Sequence, residues 1–242
     1  MIASFVSWAA FPVYALEGIR TRVRSLRLPP GEGPTSGNVE GEGEPLHLLV
    51  LGDSSAAAVG IARQADGLAP ALARALNEKT GRPVAWRGAG FNSATSDQLR
   101  DHVVHNLEPA PYTHILFCVG FNDVKNFHSG RRFKKGFGGL LYALKARFPD
   151  SRLYWSQVLD PNEMPLISST LGAILKLRAD LFNRVGSRLC LERGAIDVPA
   201  MKGLSADAFC SDGVHPSETG FEAWARHLTQ FIDQDASRPL RP

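Results

Sequence analysis

The chain has 242 residues, 44% of them hydrophobic and 21% charged, which is a globular composition and too apolar for a disordered chain. Its net charge of +3, from 27 Lys and Arg against 24 Asp and Glu, is too small to argue for a nucleic-acid partner. Three widely spaced cysteines, Cys118, Cys190 and Cys210, exclude a disulfide scaffold and a Cys-rich zinc site.

Residues 2–16 are mostly apolar, but Pro12 interrupts them and the run is shorter than the ~20 residues of a spanning helix. No basic residue precedes the run, as a secretory signal would require; Arg20, Arg22, Arg24 and Arg27 follow it instead. Residues 2–27 therefore read in three ways. They form a helix packed on the main domain or on a second subunit, a segment in peripheral contact with an anionic membrane, or a cleaved signal, with packing as the expectation. A cytoplasmic protein, free or membrane-associated, follows more readily than a secreted one. Residues 29–45 are rich in Gly, Pro and Glu and read as a flexible linker or an extended strap. Residues 1–45 are thus an appendage, 46–235 the folded domain and 236–242 a tail.

From Leu46 onward, strands and helices alternate. Leu46–Leu51 is a continuous apolar run that suits a buried strand. An Ala- and Leu-rich helical stretch follows to about Lys79, ended by Gly81-Arg82-Pro83. Val84–Ala89 is a second strand. Thr95-Ser96-Asp97-Gln98 has the form of a capping box, ahead of Leu99, Val103 and Leu107 at helical spacing. His114–Val119 is a third strand, and Cys118 within it reads as a buried thiol. Phe137, Leu140, Leu141, Leu144 and Phe148 form a helical stripe before a fourth strand, Arg152–Val158. A long helical pattern from Leu171 to Leu189 and a short fifth strand, Ala195–Val198, come next. Pro216 fits the first turn of a last helix carrying Phe221, Trp224 and Leu228. This alternation predicts an α/β protein with a central five-stranded parallel sheet and helices on both faces, with chemistry in the loops at the carboxyl ends of the strands.

Four such loops carry candidates. Gly52-Asp53-Ser54-Ser55 presents a serine hydroxyl after strand one, where backbone N–H groups can stabilise an anion. Gly88–Thr95 brings glycines after strand two. Gly120-Phe121-Asn122-Asp123 offers an amide donor for a developing oxyanion. Asp212 and His215 stand three apart in the last loop, where the carboxylate can orient the imidazole as a base. Taken singly, each string also reads as a turn or helix cap; their placement at one end of one sheet favours chemistry. Asn126–Gly139, mixing basic, aromatic and glycine residues, reads as a solvated loop or a lid over the pocket, and Leu159–Ser169 as a pocket wall.

In Gly52-Asp53-Ser54-Ser55, Gly120-Phe121-Asn122-Asp123 and Asp212-Gly213-Val214-His215-Pro216 the chain resembles the SGNH (GDSL-type) hydrolases. The resemblance implies a flavodoxin-like three-layer αβα sandwich and metal-free, cofactor-free hydrolysis of a small-molecule ester. By the same resemblance Ser54 is the nucleophile, His215 the base and Asp212 its orienter. The oxyanion hole is then the N–H of Ser54, the N–H of Ser93 and the side chain of Asn122. The family carries glycine where this chain has Ser93, two residues before Thr95; serine keeps the N–H, and Gly90 is the alternative donor. A short-to-medium acyl esterase is the expected activity. A thioesterase or lysophospholipase and an acyltransferase share the triad. A metal-dependent hydrolase on Asp53, Asp123, Asp212 and His215, or a non-catalytic binding module, are the remoter readings.

Overall fold

A computed structural model describes residues 8–232. The expectations for residues 2–7 and for the tail 236–242 lie outside the described residues. The strands are β1 (Ser36–Val39), β2 (Leu46–Gly52), β3 (Val84–Gly90), β4 (His114–Cys118), β5 (Arg152–Ser156) and β6 (Ile196–Val198). They form one sheet in the order β1-β3-β2-β4-β5-β6. The helices are α1 (Phe11–Arg24), α2 (Leu68–Thr80), α3 (Ser96–Gln98), α4 (Phe121–Lys125), α5 (Gly130–Arg147), α6 (Ser169–Arg193) and α7 (Glu218–Thr229).

All neighbouring strands are parallel except β1, which runs antiparallel to β3. Counted along the chain without β1, the parallel strands lie in the order 2-1-3-4-5, the flavodoxin-like arrangement. The expected five-stranded sheet is thus present and carries a sixth, antiparallel edge strand. That strand comes from the Gly- and Pro-rich segment before Leu46, which is an extended strap built into the sheet rather than a flexible linker. Upstream of β1 the strap also donates the Gly31 N–H to the Ala58 carbonyl and receives the Gly60 N–H on the Pro29 carbonyl, so it runs beside the loop that follows β2.

The period-two alternation of the strands sorts their side chains into two cores. Leu49, Leu51, Phe117 and Trp155 enter one core with α5 and α6. Leu48, Val50, Leu116 and Tyr154 enter the other with α2 and α7. Apolar cover on both faces explains the continuous apolar runs of the central strands and makes three layers. In the first core Phe133 stacks on Phe182 at 4.3 Å, tying α5 to α6.

Three local expectations are corrected. The Ala-rich stretch after Ser54 is a series of turns, and helix α2 begins only at Leu68. Asn126–Gly139 is not mainly a loop or lid: from Gly130 it is the first half of α5, with Ser129 as N-cap accepting the Arg132 N–H at 3.2 Å. Pro216 lies before the last helix, whose cap is Ser217, accepting the Gly220 N–H at 3.1 Å.

Helix α1 packs on α6 and on the turn after α4. Phe127 receives the rings of Trp8, Phe11 and Tyr14 at centroid distances of 4.9, 5.0 and 4.6 Å. The Arg178 guanidinium lies 3.7 Å from the centroid of the Phe127 ring. The Tyr14 hydroxyl donates to the Lys125 carbonyl, and the Ser168 hydroxyl donates to Glu17 at 2.8 Å. The expected packing of this segment on the main domain is therefore present for residues 8–24.

Helix α6 meets the sheet closely at Gly186, where a Cβ would lie 2.2 Å from the Trp155 ring. Gly186→Ala is expected to lower unfolding free energy by ~1–3 kcal/mol through overpacking. Denaturant titration checks this, and an unchanged midpoint would contradict the packing described.

Candidate active site

From β2 the chain passes to β3 on one side and then to β4 on the other, so the strand order reverses between β2 and β4 and a crevice opens at their carboxyl ends. The site builds up around that switch point. Gly52 closes β2 opposite Gly90 of β3 and Cys118 of β4. A Cβ on Gly90 would lie 1.9 Å from the Gly52 carbonyl oxygen, so position 90 requires glycine for close backbone approach. This gives Gly90 a packing role within a strand.

Immediately beyond Gly52, Asp53 turns inward and Ser54 reaches a cavity. Asp53 is buried. Its carboxylate accepts the Ser55 N–H at 3.1 Å and the Asn122 side-chain amide at 2.9 Å. Burial pushes the Asp53 carboxyl up, against the Ser55 N–H and the charge of Lys125, which favour ionisation. Asn122, also buried, sits in the first turn of α4 and gives its second amide hydrogen to the Ala94 carbonyl at 3.1 Å. One amide thus joins the loops that follow β2, β3 and β4. Its neighbour Asp123 turns the other way and accepts the backbone N–H and hydroxyl of Ser96, each at 3.0 Å, and pairs with His128.

Ser93 stands at φ +65°, the left-handed region in which glycine is at ease and a residue with a Cβ is strained. The backbone at position 93 is therefore of the kind that glycine adopts with ease. Among the described residues, neither the Ser54 N–H nor the Ser93 N–H donates to a protein acceptor. Ser93 is exposed, and neither it nor Asn122 lines the cavity that holds Ser54. The capping box expected from the sequence is present at Thr95 and Gln98: the Gln98 side chain accepts the Thr95 N–H at 3.1 Å, and the Thr95 hydroxyl also donates to Asp97.

The fourth loop carries Asp212 and His215. One Asp212 oxygen accepts the N–H groups of Val214 and His215, both at 3.0 Å, and the other meets His215 Nδ1 at 2.5 Å. Burial raises the Asp212 carboxyl, but the imidazole and the two N–H groups outweigh it, and the carboxyl lies below its ordinary value. An ionised carboxylate only accepts, so Nδ1 carries the proton and Nε2 is left as the basic nitrogen.

Ser54 and His215 line the same cavity. Among the described residues they are not hydrogen-bonded to each other; such contacts commonly tighten only when substrate binds. The remaining wall is largely apolar, with Val158, Leu159, Met164, Leu204 and Phe209 among its members. Leu159 and Met164 come from the stretch expected to form a pocket wall. Sequence reasoning missed the partnership of Asp53 with Asn122, whose only signal was the Asp beside the serine. It also missed Trp224, whose indole donates to Ser156 at 3.2 Å, both of them on the cavity wall. Among the described residues no group of three or more His, Cys, Asp or Glu side chains is placed to hold a metal ion.

A family model described as the GDSL-like lipase/acylhydrolase family matches residues 50–223. The chain belongs to this family of ester hydrolases. Its fold is similar to that of TesA, at 18% identity and a TM-score of 0.61, over 76% of this chain and 96% of that one. It is also similar to the psychrotrophic esterase EstA from Pseudoalteromonas sp., solved inhibited by monoethylphosphonate, at 17% identity and a TM-score of 0.58, over 76% and 94%. The acetylxylan esterase Axe2 from Geobacillus stearothermophilus is 17% identical with a TM-score of 0.55, over 80% and 96%. No curated protein matches in sequence.

The left-handed backbone at position 93 separates two substitutions. Ser93→Gly is expected to stay within about 1 kcal/mol of the native stability, since relief of Cβ strain offsets the greater freedom of the unfolded chain. Ser93→Val, β-branched at positive φ, is expected to lose ~1–3 kcal/mol. Thermal unfolding of the pair checks this; equal stabilities would show that the backbone at 93 is not held there.

Proposed function

We propose that this protein hydrolyses carboxylic esters with short-to-medium acyl chains through an acyl-enzyme on Ser54. The observation that carries the reading is the clamp of Asp212 on His215 Nδ1, which leaves Nε2 as a base at a cavity that Ser54 also lines. A serine hydroxyl is a weak nucleophile until a base takes its proton. His215 Nε2 accepts that proton as the Ser54 oxygen bonds to the ester carbonyl carbon, and Asp212 stabilises the imidazolium. The negative charge that develops on the carbonyl oxygen meets the N–H groups of Ser54 and Ser93. It also competes with the Ala94 carbonyl for one hydrogen of the Asn122 amide. Collapse of the tetrahedral adduct breaks the bond to the leaving alcohol, which takes the proton from His215. Water, deprotonated by the same nitrogen, then attacks the acyl-serine and returns the Ser54 hydroxyl and a free acid. The apolar side chains of the wall accommodate the acyl group.

Neighbours in structure that are named as esterases, one of them solved with a phosphonate inhibitor, agree with this reading. Steady-state hydrolysis of p-nitrophenyl esters of graded length tests it. Ser54→Ala is expected to lose about 10⁴-fold or more in turnover with its thermal midpoint kept. Asn122→Ala should lower kcat by about 10²–10³ with little change in KM. Retained turnover in Ser54→Ala removes Ser54 from the chemistry, and a pure rise in KM for Asn122→Ala contradicts its oxyanion role.

A further inference from the structure

Helix α1 has two faces, and among the described residues only one of them packs on the domain. Tyr14, Glu17 and Thr21 are half-buried against the domain. Leu16, Ile19 and Val23 repeat the same spacing about 160° around the helix, at 3.6 residues per turn. They are 52%, 64% and 81% exposed. Val13, also exposed, and Leu26, just past the helix, extend the apolar surface. Three large aliphatic side chains in register on a free helix face are a patch, not scattered surface residues.

Cations flank the stripe. Arg20 and Arg24 lie on one side of it and Arg22 on the other, with Arg27 beyond the helix end; all four are exposed. The only acidic side chain between residues 8 and 27 is Glu17, on the docked side, where it accepts hydrogen bonds from Ser168 and Arg20. An apolar stripe edged by arginines matches a surface with an apolar interior and an anionic rim. Arginine stems can lie along the apolar layer while their guanidinium groups reach phosphates. A second copy of the chain fits less well, because a two-fold contact through this face brings arginines against arginines, and the single carboxylate of the helix, Glu17, is already engaged by Arg20 and Ser168. No helix among the described residues is long and apolar enough to cross a membrane, and a helix lying along the interface does not need to be.

We propose that the Leu16–Ile19–Val23 face of α1, with Arg20, Arg22, Arg24 and Arg27, docks this protein onto an anionic lipid surface. The inference does not depend on the esterase reading, and its test measures binding alone. Full-length protein is floated with phosphatidylcholine vesicles and with vesicles that also contain phosphatidylglycerol. The native chain is expected to float with the anionic vesicles, less so at raised salt, and weakly with phosphatidylcholine alone. Leu16→Glu/Ile19→Glu/Val23→Glu is expected to weaken vesicle binding at least about tenfold. Arg20→Gln/Arg22→Gln/Arg24→Gln is expected to remove most of the preference for anionic vesicles. Thermal unfolding checks that the exposed changes leave the fold intact. Val23→Glu alone, at the most exposed of the three sites, gives the same direction of effect if the triple variant does not fold. Equal flotation of native and Glu-substituted protein, or no flotation of the native chain, overturns the proposal. So does a vesicle-free dimer that the Glu substitutions convert to monomer without any native vesicle binding, which would assign the face to a second copy.

Discussion

The amide of Asn122 is the point on which the rim of this sheet is organised. Its two hydrogens go to the Asp53 carboxylate and the Ala94 carbonyl, so one side chain fixes the loops that follow β2, β3 and β4 relative to each other. A buried carboxylate is tolerated only where donors replace the water it has lost, and Asp53 finds them in Asn122 and in the Ser55 N–H. That bonding pattern is what turns Asp53 inward and the next residue, Ser54, out to the cavity. It also sets the backbone that carries Ser93, one residue before Ala94. The positions of Ser54, of the Asn122 amide and of the backbone at Ser93 thus depend on one buried hydrogen-bonded group. Such groups do double duty: satisfied, they rigidify; with one partner removed, the other is left buried and unpaired.

The Asp212–His215 pair is organised locally by contrast. Four consecutive residues supply the carboxylate, two of its backbone donors and the imidazole, so the pair needs little from the rest of the fold beyond its placement. That placement comes from β6 and α7, which deliver the loop to the same rim. The two halves of the site therefore have different origins: one is a tertiary junction of three strands' loops, the other a preformed turn carried to it. A cavity with largely apolar walls lies between them.

Much of this was legible in the sequence, and the physical reason is burial. The parallel strands β2 and β4 are covered on both faces, so they read as unbroken apolar runs, and the loops after them could be located by where those runs stop. The Asp-x-x-His turn was legible because its hydrogen bonds are local. Strand β1 was not, because Ser36-Gly37-Asn38-Val39 is a half-exposed antiparallel edge with small polar residues and no apolar signature. The alanines after Ser54 favour helix by propensity, but the strap at Pro29–Glu32 hydrogen-bonds to Ala58, Gly60 and Ala62 and holds that segment in turns. The second half of helix α5 was legible from its stripe of Phe137, Leu140, Leu141 and Leu144, but its first half was obscured by glycines and lysines, although Phe133 already belonged to the buried face. The double engagement of Asn122 was invisible because both of its acceptors come from remote parts of the chain. The alternation of docked and exposed faces on α1 was likewise hidden until Phe127 was seen to receive one of them.

The central claim is that Ser54 is the atom that attacks. The most direct measurement is mass spectrometry of the full-length protein after reaction with a fluorophosphonate, followed by peptide mapping. The account predicts one phosphonyl group per chain, bonded to the Ser54 oxygen, and its absence when His215→Ala removes the base. A label found on Ser55, Ser93 or another residue, or a native chain that takes up no label while folded, would contradict it.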